Sequence, residues 1–96
     1  MLDNKVELIE YRISRAKETI EEAKNAINEN HFHLAENRIY YAIFYFTTAL
    51  SLKYNYSTSK HKQLLGWFNR NFILTGKINK DIGKIYYHAC IWSKNG

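Results

Sequence analysis

Val6, Ile9, Ile13, Ala16, Ile20, Ala23 and Ile27 recur at alternating steps of three and four residues. That spacing predicts an amphipathic helix with one apolar seam. Asp3 or Asn4 is placed to cap its start. The polar triplet Asn28, Glu29, Asn30 is too short for anything but a tight reversal. A second helix, from about His31 to Tyr54, is therefore expected to run antiparallel to the first.

The second helix is apolar almost all round. Ile39, Ala42, Ile43, Phe46, Ala49 and Leu50 make one stripe, Arg38, Tyr41, Tyr45 and Leu52 a second, and Tyr40 with Phe44 a third. Such a helix belongs at the centre of a bundle, touched from several sides. Ala42 and Phe46 are expected to be buried. A chain of 96 residues has few elements to surround that helix, so a second protein chain is an expected source of cover for the Tyr40/Phe44 stripe.

YNYSTSK then reads as a loop, with Ser59 as the cap of a short third helix. Leu64, Leu65, Phe68 and Phe72 face inward from that helix, and Thr75-Gly76 stops it. Asn79 is placed to cap a fourth helix, along which Ile82, Ile85, Tyr86, Ala89 and Trp92 keep helical spacing. With no strand signal, repeat or linker, the fold class is all-α: an antiparallel up-and-down four-helix bundle, one domain over residues 1–96.

Composition narrows the functional classes. Proline is absent, aromatic residues make up 16% of the chain, and the one cysteine, Cys90, permits no internal disulfide. Cys90, between Ala89 and Ile91, reads as a small buried hydrophobe, and a reducing cytoplasm as the expected location. No run approaches a membrane span and the start does not resemble a signal peptide. The net charge of +5 is unevenly divided: residues 1–30 carry seven acids and five bases, residues 31–96 two acids and nine bases. The second part should attract anions, whether nucleotide, nucleic acid or an acidic protein surface.

Specific chemistry is sparse. His31 and His33 lie two apart, on different faces of a helix, without the cysteines or acids that would complete a metal site. No phosphate-cradling glycine loop or nucleophilic triad is present, and no cofactor is implied. Arg38, set among tyrosines, suits ring stacking, a fork onto a phosphate, or an ion pair with a first-helix acid. Lys60, His61 and Lys62 lie where the third helix begins and its free N–H groups favour an anion. Tyr41 and Tyr45 suit base stacking as well as packing. Arg38, Tyr41, Tyr45, Lys60, His61 and Lys62 are thus the candidate anion-binding residues; no catalytic residue is assigned.

NRIYYAIFYFTTALSLK, a polar loop and then HKQLLGWFNRNFILTGKINKDIG together resemble the small prokaryotic HEPN domains. The matching positions are Asn37, Arg38, Tyr40, Tyr41, Ala42, Phe44, Tyr45, His61, Phe68, Phe72, Thr75 and Gly76. YRISRAKETIEEAKNAI also fits the family's first helix. The resemblance implies a four-helix, usually dimeric domain, often encoded beside a minimal nucleotidyltransferase in a toxin–antitoxin-like pair. Family members that cleave RNA without metal carry an arginine, four to six residues, then a histidine. None of Arg12, Arg15, Arg38 and Arg70 has a histidine at that distance. YYHACIWSKNG also departs from the branch, which usually has an arginine there and an aspartate–tyrosine pair soon after. The chain stops at Gly96, before that pair, as a naturally short domain or a truncated one would.

Three readings follow from these features. The first is a non-catalytic interaction module, partner of a nucleotidyltransferase, with nucleotide or RNA as its ligand class. The second is a metal-independent ribonuclease toxin using Arg38 and His61. The third is a homodimeric helical scaffold without ligand.

Overall fold

The computed structural model describes the backbone of residues 4–95 and the side chains of residues 4–89. Within them lie four α-helices and no strand: α1 (Asn4–Asn28), α2 (Phe32–Lys53), α3 (His61–Phe68) and α4 (Lys80–Asn95). A π-helical turn, Asn69–Ile73, continues α3. The expected all-α architecture is observed. The expectations for Asp3, Cys90 and Trp92 lie outside the described residues.

Both long helices stop on an asparagine. Asn30 and Asn55 adopt φ of 62° and 60°, in the left-handed region that short polar side chains tolerate. After α1, the N–H groups of Asn30 and His31 donate to the carbonyls of Ile27 and Ala26 at 3.0 and 2.8 Å. After α2, Asn55 and Tyr56 donate to Leu52 and Ser51 at 3.1 and 2.8 Å. Each is a Schellman ending with asparagine in the place usually held by glycine, and each satisfies two orphan carbonyls. Gly76, at φ 77°, ends the α3 segment, where Thr75-Gly76 was expected to stop it.

Small residues fasten α1 to α2. Ala16, Thr19, Ala23 and Ala26 are buried on α1, and Ala35, Ala42 and Ala49 on α2, so the two backbones approach closely. The buried row is thus displaced from the expected seam: Val6, Ile20 and Ile27 remain exposed on the flank of the row. They sit there because alanines, not isoleucines, occupy the line of closest approach. Ala42 is buried as expected, but Phe46 stays 45% exposed in the single chain.

The main core lies on the other side of α2. Tyr40, Leu64, Trp67, Phe68, Phe72, Tyr86 and Ala89 form one cluster, drawn from α2, α3, the π turn and α4. α2 touches α1, α3 and α4, which makes it the central helix, as its all-round apolar character required. The π turn is closed by the Leu74 N–H to the Asn69 carbonyl at 2.9 Å. Its wider turn keeps residues four apart nearly in line. Phe72 therefore stays under Phe68, with ring centroids 5.8 Å apart.

Three local expectations need correction. The N-cap of α3 is Lys60, not Ser59, and the Thr58 hydroxyl accepts the Lys60 N–H at 3.2 Å. Tyr40 and Phe44 do not need a second chain for cover: Tyr40 is 4% exposed and Phe44 packs against the same core, because α3 folds back over them. On α4, Tyr86 and Ala89 are buried, whereas Ile82 and Ile85 remain exposed. At the start of α4 the expectation holds, since Asn79 Oδ1 accepts the Asp81 N–H at 2.7 Å.

Candidate functional site

The second stripe of α2 faces the polar edge of α1, and antiparallel register sets its contacts. Arg12 donates to the Thr48 hydroxyl at 3.1 Å, and the Arg15 guanidinium lies 5.3 Å from the centre of the Tyr45 ring. Two turns further along α1, Glu22 accepts from Arg38 at 3.1 Å. The three pairs step in opposite directions along the two helices, as an unbroken hairpin requires.

Arg38 is engaged on several sides. Besides Glu22, its Nε and Nη2 donate to Asn37 Oδ1 at 3.1 and 2.6 Å, and its guanidinium lies 5.4 Å from the Tyr41 ring centre. The first-helix acid pairing is thus realised. A phosphate approaching Arg38 would compete with a carboxylate already in place. Arg15 is a member of this cluster that sequence reasoning passed over. Its pKa is raised above the ordinary arginine value, first by a hydrogen bond to the Tyr45 side chain and further by Tyr45, Glu18 and Glu22 charges, against an opposing effect of burial. The antiparallel register, counted back from the short reversal, would have placed it opposite Tyr45.

His61 belongs to another surface of α2. Its ring stacks on Phe44 at 4.5 Å and lies nearly parallel to Tyr40 at 5.9 Å, and its Nδ1 shares a hydrogen bond with the Tyr40 hydroxyl. Tyr40 and Tyr41 meet edge to face at 5.1 Å. The side chains therefore form one connected aromatic surface, running from Arg15 and Tyr45 through Tyr41 and Tyr40 to His61 and Phe44. Arg38 stands at its α1 edge and His61 at its α3 edge, with two tyrosines between.

Lys60 and Lys62 flank His61 and are exposed. Lys62 is turned into a separate groove between α3 and α4, which Lys80, Lys84, Tyr87 and His88 also line. Of the six candidate residues, the fold gathers Arg38, Tyr41 and Tyr45 tightly, joins His61 to them through Tyr40, and directs Lys62 elsewhere.

His31 and His33 are both exposed, and His33 Nδ1 lies 3.9 Å from Glu36 Oε2. Among the described residues no group of three histidine, cysteine or acidic side chains gathers for a metal. No described helix is long and apolar enough to cross a membrane.

Residues 9–89, nearly the whole of this helical assembly, match the HEPN domain family. The chain belongs to the HEPN family. This HEPN chain is 46% identical over 95 residues to a UPF0332 protein of Thermotoga maritima, an alignment spanning 99% of the chain and 72% of that relative. It is 31% identical over 74 residues to a protein of Methanocaldococcus jannaschii named "Putative toxin MJ0142", spanning 77% of the chain and 50% of that relative. No solved structure gives a significant match. The HEPN match runs from within α1 to within α4, so it includes both the Arg38 and the His61 edges of the aromatic surface.

Proposed function

We propose that this HEPN chain is a non-catalytic interaction module, the partner of a minimal nucleotidyltransferase in a toxin–antitoxin-like pair. The observation that carries the reading is the engagement of Arg38 by Glu22 and Asn37. Metal-independent RNA cleavage needs one group to activate the 2′-hydroxyl and another to stabilise charge on the same phosphate. Arg38 and His61 are the groups offered for that work, and each is held by its own partners at opposite edges of the aromatic surface. The nucleotidyltransferase partnership rests on the resemblance of the α2 and α3 sequences to that HEPN branch, and the toxin-like pairing on the name carried by the archaeal relative.

Homodimerisation is part of the same proposal, on a different surface from the Tyr40/Phe44 stripe. Val6, Ile20 and Ile27 on α1 and Phe46 on α2 leave large apolar side chains exposed, a surface that a second copy of the chain would cover. Light scattering should give twice the chain mass at micromolar concentration. Phe46→Glu with Ile20→Glu should return it to the monomer.

The partnership is tested by co-expressing the tagged full-length protein with the product of the adjacent reading frame. A stable complex with a small nucleotidyltransferase is expected; a neighbour of another kind, or one that does not co-purify, would remove the reading. The ribonuclease reading keeps a claim through the toxin name of the archaeal relative. Cleavage lost on His61→Ala would favour it.

A further inference from the structure

The outer face of α1 carries a line of residues that packing on α2 leaves unused. Glu7, Glu10, Ser14, Glu18 and Glu21 follow one another at steps of three and four residues, all exposed, with Tyr11 60% exposed beside them. Elsewhere on the molecule, a groove of about 710 Å³ runs between α3 with its π turn and α4. Lys62 stands on its α3 wall, Lys80 and Lys84 on its α4 wall. We propose that the acidic face of α1 in one copy of the chain docks into the basic groove of another, a head-to-tail contact between unlike surfaces. The inference rests neither on the nucleotidyltransferase partnership nor on the self-complementary face around Phe46.

Charge is the first support. No carboxylate lines the groove, and among the described residues no ion pair engages Lys62, Lys80 or Lys84. Glu7 and Glu10 have no ion pair among those residues either, and Glu18 and Glu21 pair one turn away on α1, with Arg15 at 3.6 Å and Lys24 at 3.3 Å. Exposed pairs of that kind hold weakly and give up their carboxylates readily. The two faces come from the two unlike parts of the chain, residues 1–30 with seven acids and five bases and residues 31–96 with two acids and nine bases. Opposite potentials on two faces of one molecule draw copies together and set which face meets which.

Shape favours a helix as the occupant. The groove lies between two helical segments, and α4 passes close to the π turn because Gly83 has no side chain: a Cβ there would stand 3.1 Å from Ile73. Leu65 and Ile73 make its floor apolar. Lys80 and Lys84 follow at one helical turn, about 6 Å apart along the axis. On α1, Glu7 and Glu10 stand about 4.5 Å apart along the axis, as do Glu18 and Glu21, with Tyr11 between the two pairs. A helix laid along the groove brings carboxylates to the lysines and the Tyr11 ring to the floor, at the interaxial distance of about 8–10 Å usual for packed helices. The contact must be made between copies. The buried row Ala16, Thr19, Ala23 and Ala26 turns toward α2, so the acidic line points away from its own chain. Each docked copy still offers one free face and one free groove, so the contact propagates unless its rotation closes a ring.

The test is sedimentation velocity of the full chain as salt is raised from about 0.01 M to about 0.15 M, which shortens the Debye length from about 30 Å to about 8 Å. Species larger than those at the higher salt should form at the lower and dissolve as salt is added. Lys62→Glu with Lys84→Glu should weaken this association about tenfold or more, and so should Glu7→Lys with Glu10→Lys, because each pair sets like charges on both faces. An equimolar mixture of the two double variants should associate again, since the groove of each is then opposite in sign to the α1 face of the other. Both variants keep a net positive charge, so recovery in the mixture cannot come from overall attraction. The four positions are exposed, and circular dichroism verifies each fold. A wild type without salt-dependent association, variants that associate as it does, or a mixture that stays apart would each overturn the contact.

Discussion

The hydroxyl of Tyr40 shares a hydrogen bond with Nδ1 of His61, joining the middle of α2 to the first residue of α3. The same imidazole lies against Phe44, 4.5 Å between ring centres, so a residue exposed at a helix start is nonetheless held on two sides. The contact fastens the loop between α2 and α3 as well as positioning the ring.

Tyr40→Phe should therefore lower stability by about 0.5–1.5 kcal/mol, the net worth of one hydrogen bond. His61→Ala should cost more, about 1–2 kcal/mol, because the stack on Phe44 goes too. Urea unfolding of both single variants and the double variant measures their coupling. Strictly additive losses would mean that the two side chains do not act together.

Thr47 supports a prediction of opposite sign. Its side chain is fully buried, and its hydroxyl has no hydrogen-bond partner among the described residues. A buried hydroxyl without a partner loses its hydration and gains nothing in return. Thr47→Val keeps the branched shape and removes the oxygen, so it should raise stability by about 1 kcal/mol. A lower thermal midpoint would show that the hydroxyl has a use.

Asn30 and Asn55 allow the helix endings to be tested separately from packing. Both residues hold left-handed backbone, in which a Cβ costs roughly 1–2 kcal/mol and asparagine part of that. Asn30→Gly and Asn55→Gly should each be neutral or stabilising by a few tenths of a kcal/mol, and the alanine variants destabilising by about 1 kcal/mol. Alanine tolerated at both positions would mean that the turns re-form by another route.

Helix placement was legible because alternating steps of three and four, an asparagine-rich break and a Thr-Gly stop act locally. Which apolar residues would be covered was less so. Isoleucines and alanines occupy adjoining lines on α1, and only the partner helix decides between them: Ala35, Ala42 and Ala49 on α2 admit the closest approach, so the alanines went inward. The cover over the Tyr40/Phe44 stripe is invisible in α2 alone, because nothing in that helix shows that α3 folds over it. Of the candidate site, Arg38 and its acidic partner were visible as residue types. The opposition of Arg15 and Tyr45 follows once the antiparallel register is counted back from the reversal, whereas the groove shared by Lys62 and Lys84 appears only when distant segments are brought side by side.

The Arg38–Glu22 pair sets how that arginine can be used. The side chains are 26% and 48% exposed, so water screens the pair and a coupling of about 0.2–1 kcal/mol is expected from a double-mutant cycle with Arg38→Ala and Glu22→Ala. Added salt should shrink it further. A coupling near zero would leave Arg38 as free for an anion as any surface arginine.

The chain alone should leave single-stranded RNA intact above background, with chelator present. Cleavage would require Arg38 and His61 to reach one phosphate, and the fold sets Tyr41 and Tyr40 between them. Arg38 would also have to release Glu22, and His61 to leave the ring of Phe44, before either could engage the same group. Incubating the purified protein with a mixed-sequence RNA beside its His61→Ala and Glu22→Ala variants separates the cases. Uncleaved RNA in all three is the expected outcome. Wild-type cleavage that vanishes with His61→Ala would overturn the non-catalytic reading, and cleavage that appears only with Glu22→Ala would show that the acid holds a latent active site in check.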